Sequence, residues 1–364
     1  MKKVGIFTIY IANYGAVLQT YALQRYLRDK YDDLNVEVVD FYTHAPYAIF
    51  KKASTNPVKN AIKQCARALH YGSLKRRNDR ELIFIKEEFK LSRRYESIDE
   101  LMKNMPKYDI YLTGSDQVFN TNSKYRQLFF QQFNASGGIK AAYAPSFGTS
   151  DFPEEYRKAI HSPLSEFKYM SCREDDGAEM MAEVLGRGVP RVLDPTLLLS
   201  KDQWKSMMSE PKGNDKFLLI YDLNGGQRMI DYASKIAREK GLKVWCITQH
   251  ADVRYKRVDK LIFDAGPREF VGLFAKADYV VTDSFHGTSF SLIFEKEFNT
   301  YIAVPRASRR ILALLKDCGK LDRVVNLEDN TGVLASAKAS EESNNAMVEL
   351  RRESYNFIDK IVSA

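Results

Sequence analysis

Tyr279-Val-Val-Thr-Asp-Ser-Phe-His-Gly-Thr-Ser289 opens with strand-forming side chains and passes through small and polar residues into an apolar helix. A strand that turns directly into a helix in this way is the repeating unit of a parallel sheet covered by helices. Ser284, Thr288 and Ser289 can cap such a helix, and Gly287 allows close backbone approach. The unsatisfied N–H groups of a helix start suit a phosphate or carboxylate. His286 sits at this point with a charge tunable near neutral pH. It suits acid–base work or a phosphate hydrogen bond, and equally a helix cap or a domain contact.

The same alternation runs outward in both directions. In the first half, strands are expected over 4–10, 36–41, 109–112 and 139–144, with helices over 14–28, 57–69, 74–89 and 153–161. In the second half, strands are expected over 169–172, 191–193, 217–221, 243–247, 260–263, 279–282 and 300–303. Helices fall between them over 177–185, 201–208, 226–240, 267–275, 288–294 and 308–318, and a last helix over 347–361 follows a polar connector at 326–345. The fold class is α/β, with two doubly wound Rossmann-like domains facing a cleft. The expected domains are 1–165, carrying a basic helical insertion at 51–94 on the acceptor side, and 166–340 on the donor side. The segment 341–364 is a helix packing back on the first domain.

A length of 364 residues also predicts about two domains, and 45% hydrophobic with 12% aromatic residues supplies two cores. Disorder, collagen-like repeats and coiled coil are excluded on composition. The formal charge of +8 is a local feature: 51–94 holds thirteen Lys/Arg against four acidic residues, which leaves the rest of the chain at −1. Within that stretch Val58, Ile62, Cys65 or Ala66, and Leu69 recur at helical spacing, with Lys59, Lys63 and Arg67 on a neighbouring face. Such a helix either lies on anionic lipid or is a solvated surface helix. Few aromatics interleave with the basic residues, so nucleic acid is not an expected partner.

Cys65, Cys172, Cys246 and Cys318 are far apart in sequence, which reads as reduced thiols in a cytoplasmic protein. Lys2-Lys3 and the apolar run 4–12 lack a cleavage site and read as a first strand rather than a signal peptide. No stretch is long and apolar enough to span a bilayer, so any membrane association is expected to be peripheral, at the inner face of the plasma membrane. His44, His70, His161 and His250 lack metal-ligand spacing, and there is no G-x-S-x-G turn.

Three other strand ends carry candidate chemistry. Arg173, in Ser171-Cys-Arg-Glu-Asp-Asp176, is a cation delivered to an acidic helix start, where it needs either an ion pair or a bidentate anionic ligand. Asp116 and Gln117 follow Thr113-Gly114-Ser115, where Asp116 either caps a turn or accepts a hydroxyl proton. Asn13, Tyr14 and Gly15 follow the first strand, where Gly15 gives a turn and Asn13 a hydrogen-bonding group.

Six segments taken in order resemble the polysaccharide pyruvyl transferase family: Asn13-Tyr-Gly-Ala-Val-Leu-Gln19, Gly114-Ser-Asp-Gln-Val-Phe-Asn120, Tyr143-Ala-Pro-Ser-Phe-Gly148, Ser171-Cys-Arg-Glu174, Leu193-Asp-Pro-Thr-Leu-Leu198 and Asp283-Ser-Phe-His-Gly287. The resemblance implies a fold like that of GT-B glycosyltransferases. It also implies transfer of an enolpyruvyl-derived group from phosphoenolpyruvate to a sugar, including a lipid-linked oligosaccharide, with formation of a pyruvate ketal in exopolysaccharide or capsule biosynthesis. The family's S-x-R-D/E arginine maps to Arg173 and its active-site histidine to His286. Many members have an R-x-H triplet; Ser284 stands at its arginine position here, and Arg309 or Arg310 can supply the cation. The implied assignment gives Arg173, Ser284, Gly287, Thr288, Arg309 and Arg310 to the donor phosphate, and His286 and Asp116 to catalysis. Asn13, Tyr14, Gly15 and Gln117 go to the acceptor, with phosphoenolpyruvate as co-substrate and neither metal nor cofactor. A nucleotide-sugar glycosyltransferase and a non-catalytic partner in polysaccharide assembly are the alternative readings.

Overall fold

Runs such as Phe217–Asp222 and Tyr279–Thr282 form strands because every residue in them is buried, as in a sheet covered on both faces. The computed structural model describes residues 1–11, 13–41, 55–120, 123–135, 137–149, 151–224, 226–248, 250, 255–302, 309–326 and 341–364. The expected strand end at Ala303, the helix start at Ser308, the connector over 327–340 and the basic pair Lys51 and Lys52 lie outside them.

The chain divides into two compact units, 1–44 with 86–199 and 344–364, and 45–85 with 200–343. In the first, β1 (Lys2–Phe7), α1 (Tyr14–Lys30) and β2 (Leu34–Val38) open the chain. After them come α2 (Pro57–Leu69) and α3 (Tyr71–Glu88), grouped mainly with the second unit. The first unit resumes with α4 (Ile98–Lys103), β3 (Ile110–Thr113), α5 (Arg126–Phe129), β4 (Ile139–Ala142), α6 (Glu154–Ser165), β5 (Tyr169–Met170) and α7 (Asp175–Leu185). Its sheet is parallel, in the order β2-β1-β3-β4-β5, with Val4 opposite both Val36 and Ile110. Phe7, Tyr111, Phe119, Phe129, Phe147 and Met181 belong to its core.

The second unit contains α8 (Lys201–Met207), β6 (Phe217–Asp222), α9 (Gln227–Lys240), β7 (Lys243–Thr248), β8 (Lys260–Ile262) and α10 (Pro267–Lys276). It continues with β9 (Tyr279–Thr282), α11 (Phe285–Ile293), β10 (Glu297–Ile302), α12 (Arg309–Asp317) and β11 (Val324–Asn326). Its parallel sheet runs β11-β10-β9-β6-β7-β8, the order of a dinucleotide-binding fold. The last helix, α13 (Glu341–Val362), belongs from residue 344 onward to the first unit, in which Tyr355 stacks on Tyr26 and Lys30 pairs with Asp359 at 2.7 Å.

Four expectations are corrected. The boundary lies at 199/200 rather than 165/166, because β5 pairs with β4 through Ala141 and Tyr169 and so completes the first sheet. The basic insertion is split at 85/86, and most of it joins the second unit, where Arg76 and Arg80 of α3 pair with Asp264. The expected strand at 191–193 is one isolated bridge between Cys172 and Arg191, confined by Pro190 and by the turn at Asp194-Pro195. Helix α11 begins at Phe285, three residues before the expected start, because Ser284 caps it.

Candidate active site

In a doubly wound sheet the strand order reverses at one point, and ligands bind outside the carboxyl ends of the strands there. In the first unit the reversal lies between β1 and β3. Five of the six segments quoted above meet at that edge. Thr8 Oγ1 donates to the Ser115 carbonyl at 2.9 Å, and Gln19 Nε2 donates to Thr8 Oγ1 at 3.1 Å. Asp116 bridges to Pro145, the Arg173 N–H donates to the Pro145 carbonyl at 3.2 Å, and Tyr143 donates its hydroxyl to the Leu193 carbonyl at 2.9 Å.

Arg173 is the hub of this edge. Its Nη1 lies 2.8 Å from Asp194, its Nε 3.1 Å from Glu174, and its Nη2 4.0 Å from Asp116. Burial works against the charge, but the carboxylates of Glu174, Asp194 and Asp116 outweigh it and hold the guanidinium above its ordinary pKa. Asp194 is itself satisfied, since it accepts from Thr196 N at 3.0 Å, Thr196 Oγ1 at 2.7 Å and Ser115 Oγ at 3.3 Å. The structure therefore places Arg173 among the protein's own carboxylates, at 6% exposure, where the local charge opposes an incoming phosphate.

Asp116 departs from the turn-capping reading. Its φ is +71° with ψ −172°, a region that side-chain-bearing residues rarely adopt, and its carboxylate makes no cap hydrogen bond. The conformation is fixed from outside: the Asp116 carbonyl accepts from Ser146 N at 2.8 Å and Val118 N at 2.7 Å. Backbone strain of this kind persists only where the surrounding structure over-determines it.

The other first-unit candidates are distributed around the same edge. Asn13 caps α1 by accepting from Ala16 N at 2.9 Å, while Tyr14 and Gly15 are buried in the first turn of that helix. Gln117 packs on Gly148, where a Cβ would lie 2.8 Å from the Gln117 amide carbon, so the glycine makes room for it.

In the second unit the reversal lies between β6 and β9. Asp283, the first residue after β9, accepts from Leu223 N at 2.9 Å, Asn224 N at 3.1 Å and Asn224 Nδ2 at 2.6 Å, which ties the two strand ends together. Burial raises its carboxyl pKa against these hydrogen bonds, and neighbouring Asp222 adds to the rise. Ser284 accepts from Gly287 N at 3.3 Å, and His286 stands in the first turn of α11, half-buried, its ring edge-on to Phe285 at 5.3 Å. The Arg310 guanidinium lies 5.9 Å from the centre of the Phe285 ring, so α12 brings a cation to the start of α11. Arg309 precedes it at the start of α12.

Two residues assigned to the donor prove to be packing residues. A Cβ on Gly287 would lie 2.3 Å from Thr282 Oγ1, so this glycine seats α11 on β9. Thr288 is fully buried, with its hydroxyl on the Ser284 carbonyl at 3.0 Å and on Thr300 Oγ1 at 2.9 Å. The sequence reading did not single out Asp222, Asn224 or Tyr255, nor see that His250 contacts the Leu223 carbonyl at 2.7 Å. Tyr255 donates to Asp222, and burial together with that bond raises its phenol pKa. Their only signal is that Asp222 closes a strand, Asn224 lies two residues past it, and His250 and Tyr255 follow the next one. Among the described residues no group of three or more His, Cys, Asp or Glu is placed to hold a metal ion.

A family model described as polysaccharide pyruvyl transferase matches residues 13–301. No curated protein matches the chain. Among solved structures, UDP-N-acetylglucosamine 2-epimerase from Rickettsia bellii is 12% identical with a TM-score of 0.50, and the match covers 100% of this chain and 95% of that one. UDP-GlcNAc 2-epimerase from Methanocaldococcus jannaschii is 10% identical with a TM-score of 0.50, and covers 98% of this chain and 100% of that one. At these identities the likeness is one of fold, and that fold is of the GT-B type.

Proposed function

The chain belongs to the polysaccharide pyruvyl transferase family, a family of transferases, and from that membership we propose that it moves an enolpyruvyl-derived group from phosphoenolpyruvate to two sugar hydroxyls. The product is a pyruvate ketal of a cell-surface polysaccharide such as capsule or exopolysaccharide, or of its lipid-linked precursor. The observation that carries the reading is the placing of the six family-like segments. Five meet at the carboxyl edge of the first sheet, and the sixth forms the β9–α11 turn at the reversal point of the second.

The reaction protonates the methylene carbon of the donor to a methyl group and leaves an oxocarbenium-like carbon. One acceptor hydroxyl attacks this carbon, phosphate departs, and a neighbouring hydroxyl closes the ketal. Of the two hydroxyl protons released, one balances the proton taken up by the methyl group and the other leaves with phosphate. We assign the first proton transfer to His286 and acceptance of a hydroxyl proton to Asp116, with its strained backbone and uncapped carboxylate. Arg310 and the α11 start favour the donor's negative charge. Arg173 acts as a positioning residue that holds the Asp116, Glu174 and Asp194 loops together. Asn13 and Gln117 are polar groups available to the acceptor.

No described helix is long and apolar enough to cross a membrane. A cytoplasmic location suits a protein whose four cysteines form no disulfide. Thermal shift tests the donor, since a ligand that binds the folded state stabilises it by mass action. Stabilisation by phosphoenolpyruvate and not by nucleotide sugars supports the proposal. Stabilisation by a nucleotide sugar alone points to a glycosyltransferase, and stabilisation by neither points to a non-catalytic partner.

A further inference from the structure

Helix α2 turns its apolar side outward. Val58, Ile62 and Leu69 are 67%, 59% and 85% exposed, and Ala61, Cys65 and Ala68 are exposed with them. These six positions form one continuous stripe at intervals of three and four residues, the face that a helix of a globular protein normally buries. The polar residues Asn60, Lys63, Gln64 and Arg67 are the less exposed ones. A stripe of this kind needs a covering partner.

Charge selects that partner. From Thr55 to Asn78 the chain has no Asp or Glu; Lys59, Lys63 and Arg67 belong to α2 itself, while on α3 Lys75 pairs with Asp79 and Arg76 with Asp264. A second copy of the chain seated on the stripe by a two-fold axis would set this positive segment against itself. An anionic bilayer meets both demands at once, taking the apolar stripe below its headgroups and the basic residues at them. We propose that α2 is a membrane-docking helix that lies in the plane of an anionic lipid surface, independently of which reaction the protein performs.

Co-sedimentation of the full chain with vesicles tests this. The probes are vesicles of phosphatidylcholine alone and of equal parts phosphatidylcholine and phosphatidylglycerol. The wild-type chain should pellet with the mixed vesicles, remain in solution with the neutral ones, and be released by about 0.5 M salt. Val58→Asp/Ile62→Asp/Leu69→Asp should reduce pelleting on the order of tenfold with an unchanged circular dichroism spectrum. Leu69→Asp alone, at the most exposed position of the stripe, provides the milder variant if the triple one does not fold. Equal pelleting with both vesicle types overturns the proposal, as does wild-type pelleting by the folded triple variant or, should that variant not fold, by Leu69→Asp. Concentration-dependent dimerisation without vesicle binding overturns it in favour of a second copy.

Discussion

Arg173 Nη1 and Asp194 Oδ2 lie 2.8 Å apart inside the first unit, on side chains 2% and 0% exposed. A buried pair of this kind is costly to break because its removal leaves uncompensated charge. Arg173→Ala should therefore lose about 3–5 kcal/mol in urea unfolding. Arg173→Lys keeps the charge but not the fork that reaches Asp194 and Glu174 together, so it should fall between the two. Wild-type stability in Arg173→Ala would show that the cage does not hold the loops.

Asp116 trades backbone strain for position. Glycine tolerates φ +71°, so Asp116→Gly should match or exceed wild-type stability by about 1 kcal/mol, while losing ketal formation with the carboxylate. A clear loss of stability, or retained transfer, would contradict the role given to this residue. Denaturant unfolding and a turnover assay on one preparation read both.

Gly287 and Thr282 are coupled by space. Gly287→Ala should cost about 1–3 kcal/mol, because the new methyl group would meet Thr282 Oγ1 at 2.3 Å. Thr282→Ala removes that atom together with its hydrogen bond to the Tyr221 carbonyl. The double variant should therefore lose less than the sum of the single losses, by about 1 kcal/mol, whereas strict additivity would mean that α11 accommodates the methyl group elsewhere.

Asp283 ties β6 to β9 with a carboxyl pKa raised by burial. A pKa higher in the folded than in the unfolded chain contributes stability that is complete below the unfolded value and is lost as pH rises through the folded one. Relative to Asp283→Asn, which does not titrate, the wild-type chain should thus lose stability as pH rises above about 4, the ordinary range of an aspartate. Urea unfolding at rising pH checks the sign; a wild-type advantage that grows with pH would contradict it.

Most strands and helices were legible because short β-branched runs and three-to-four spacing are local signals. The start of α11 was not, since Ser284, Thr288 and Ser289 can each cap a helix and only the fold selects Ser284, with Gly287 packed against Thr282. The unit boundary was misplaced because β5 has only two residues and gains its identity from pairing with β4. Arg173 was visible as an odd cation, but its partner Asp194 lies 21 residues further on and only the fold unites them. The same holds for Asp283 and Asn224, 59 residues apart. The exposed stripe of α2 was legible as amphipathic, and its outward orientation came only with burial.

Incubating the chain with phosphoenolpyruvate and a panel of lipid-linked or nitrophenyl sugars, and analysing products by mass and by released phosphate, tests the central claim most directly. The account predicts a sugar carrying a pyruvate ketal, one phosphate released per ketal, and loss of both in a folded His286→Ala variant. Sugar transfer from a nucleotide sugar with no ketal formed, or near-wild-type ketal formation by His286→Ala, would contradict it.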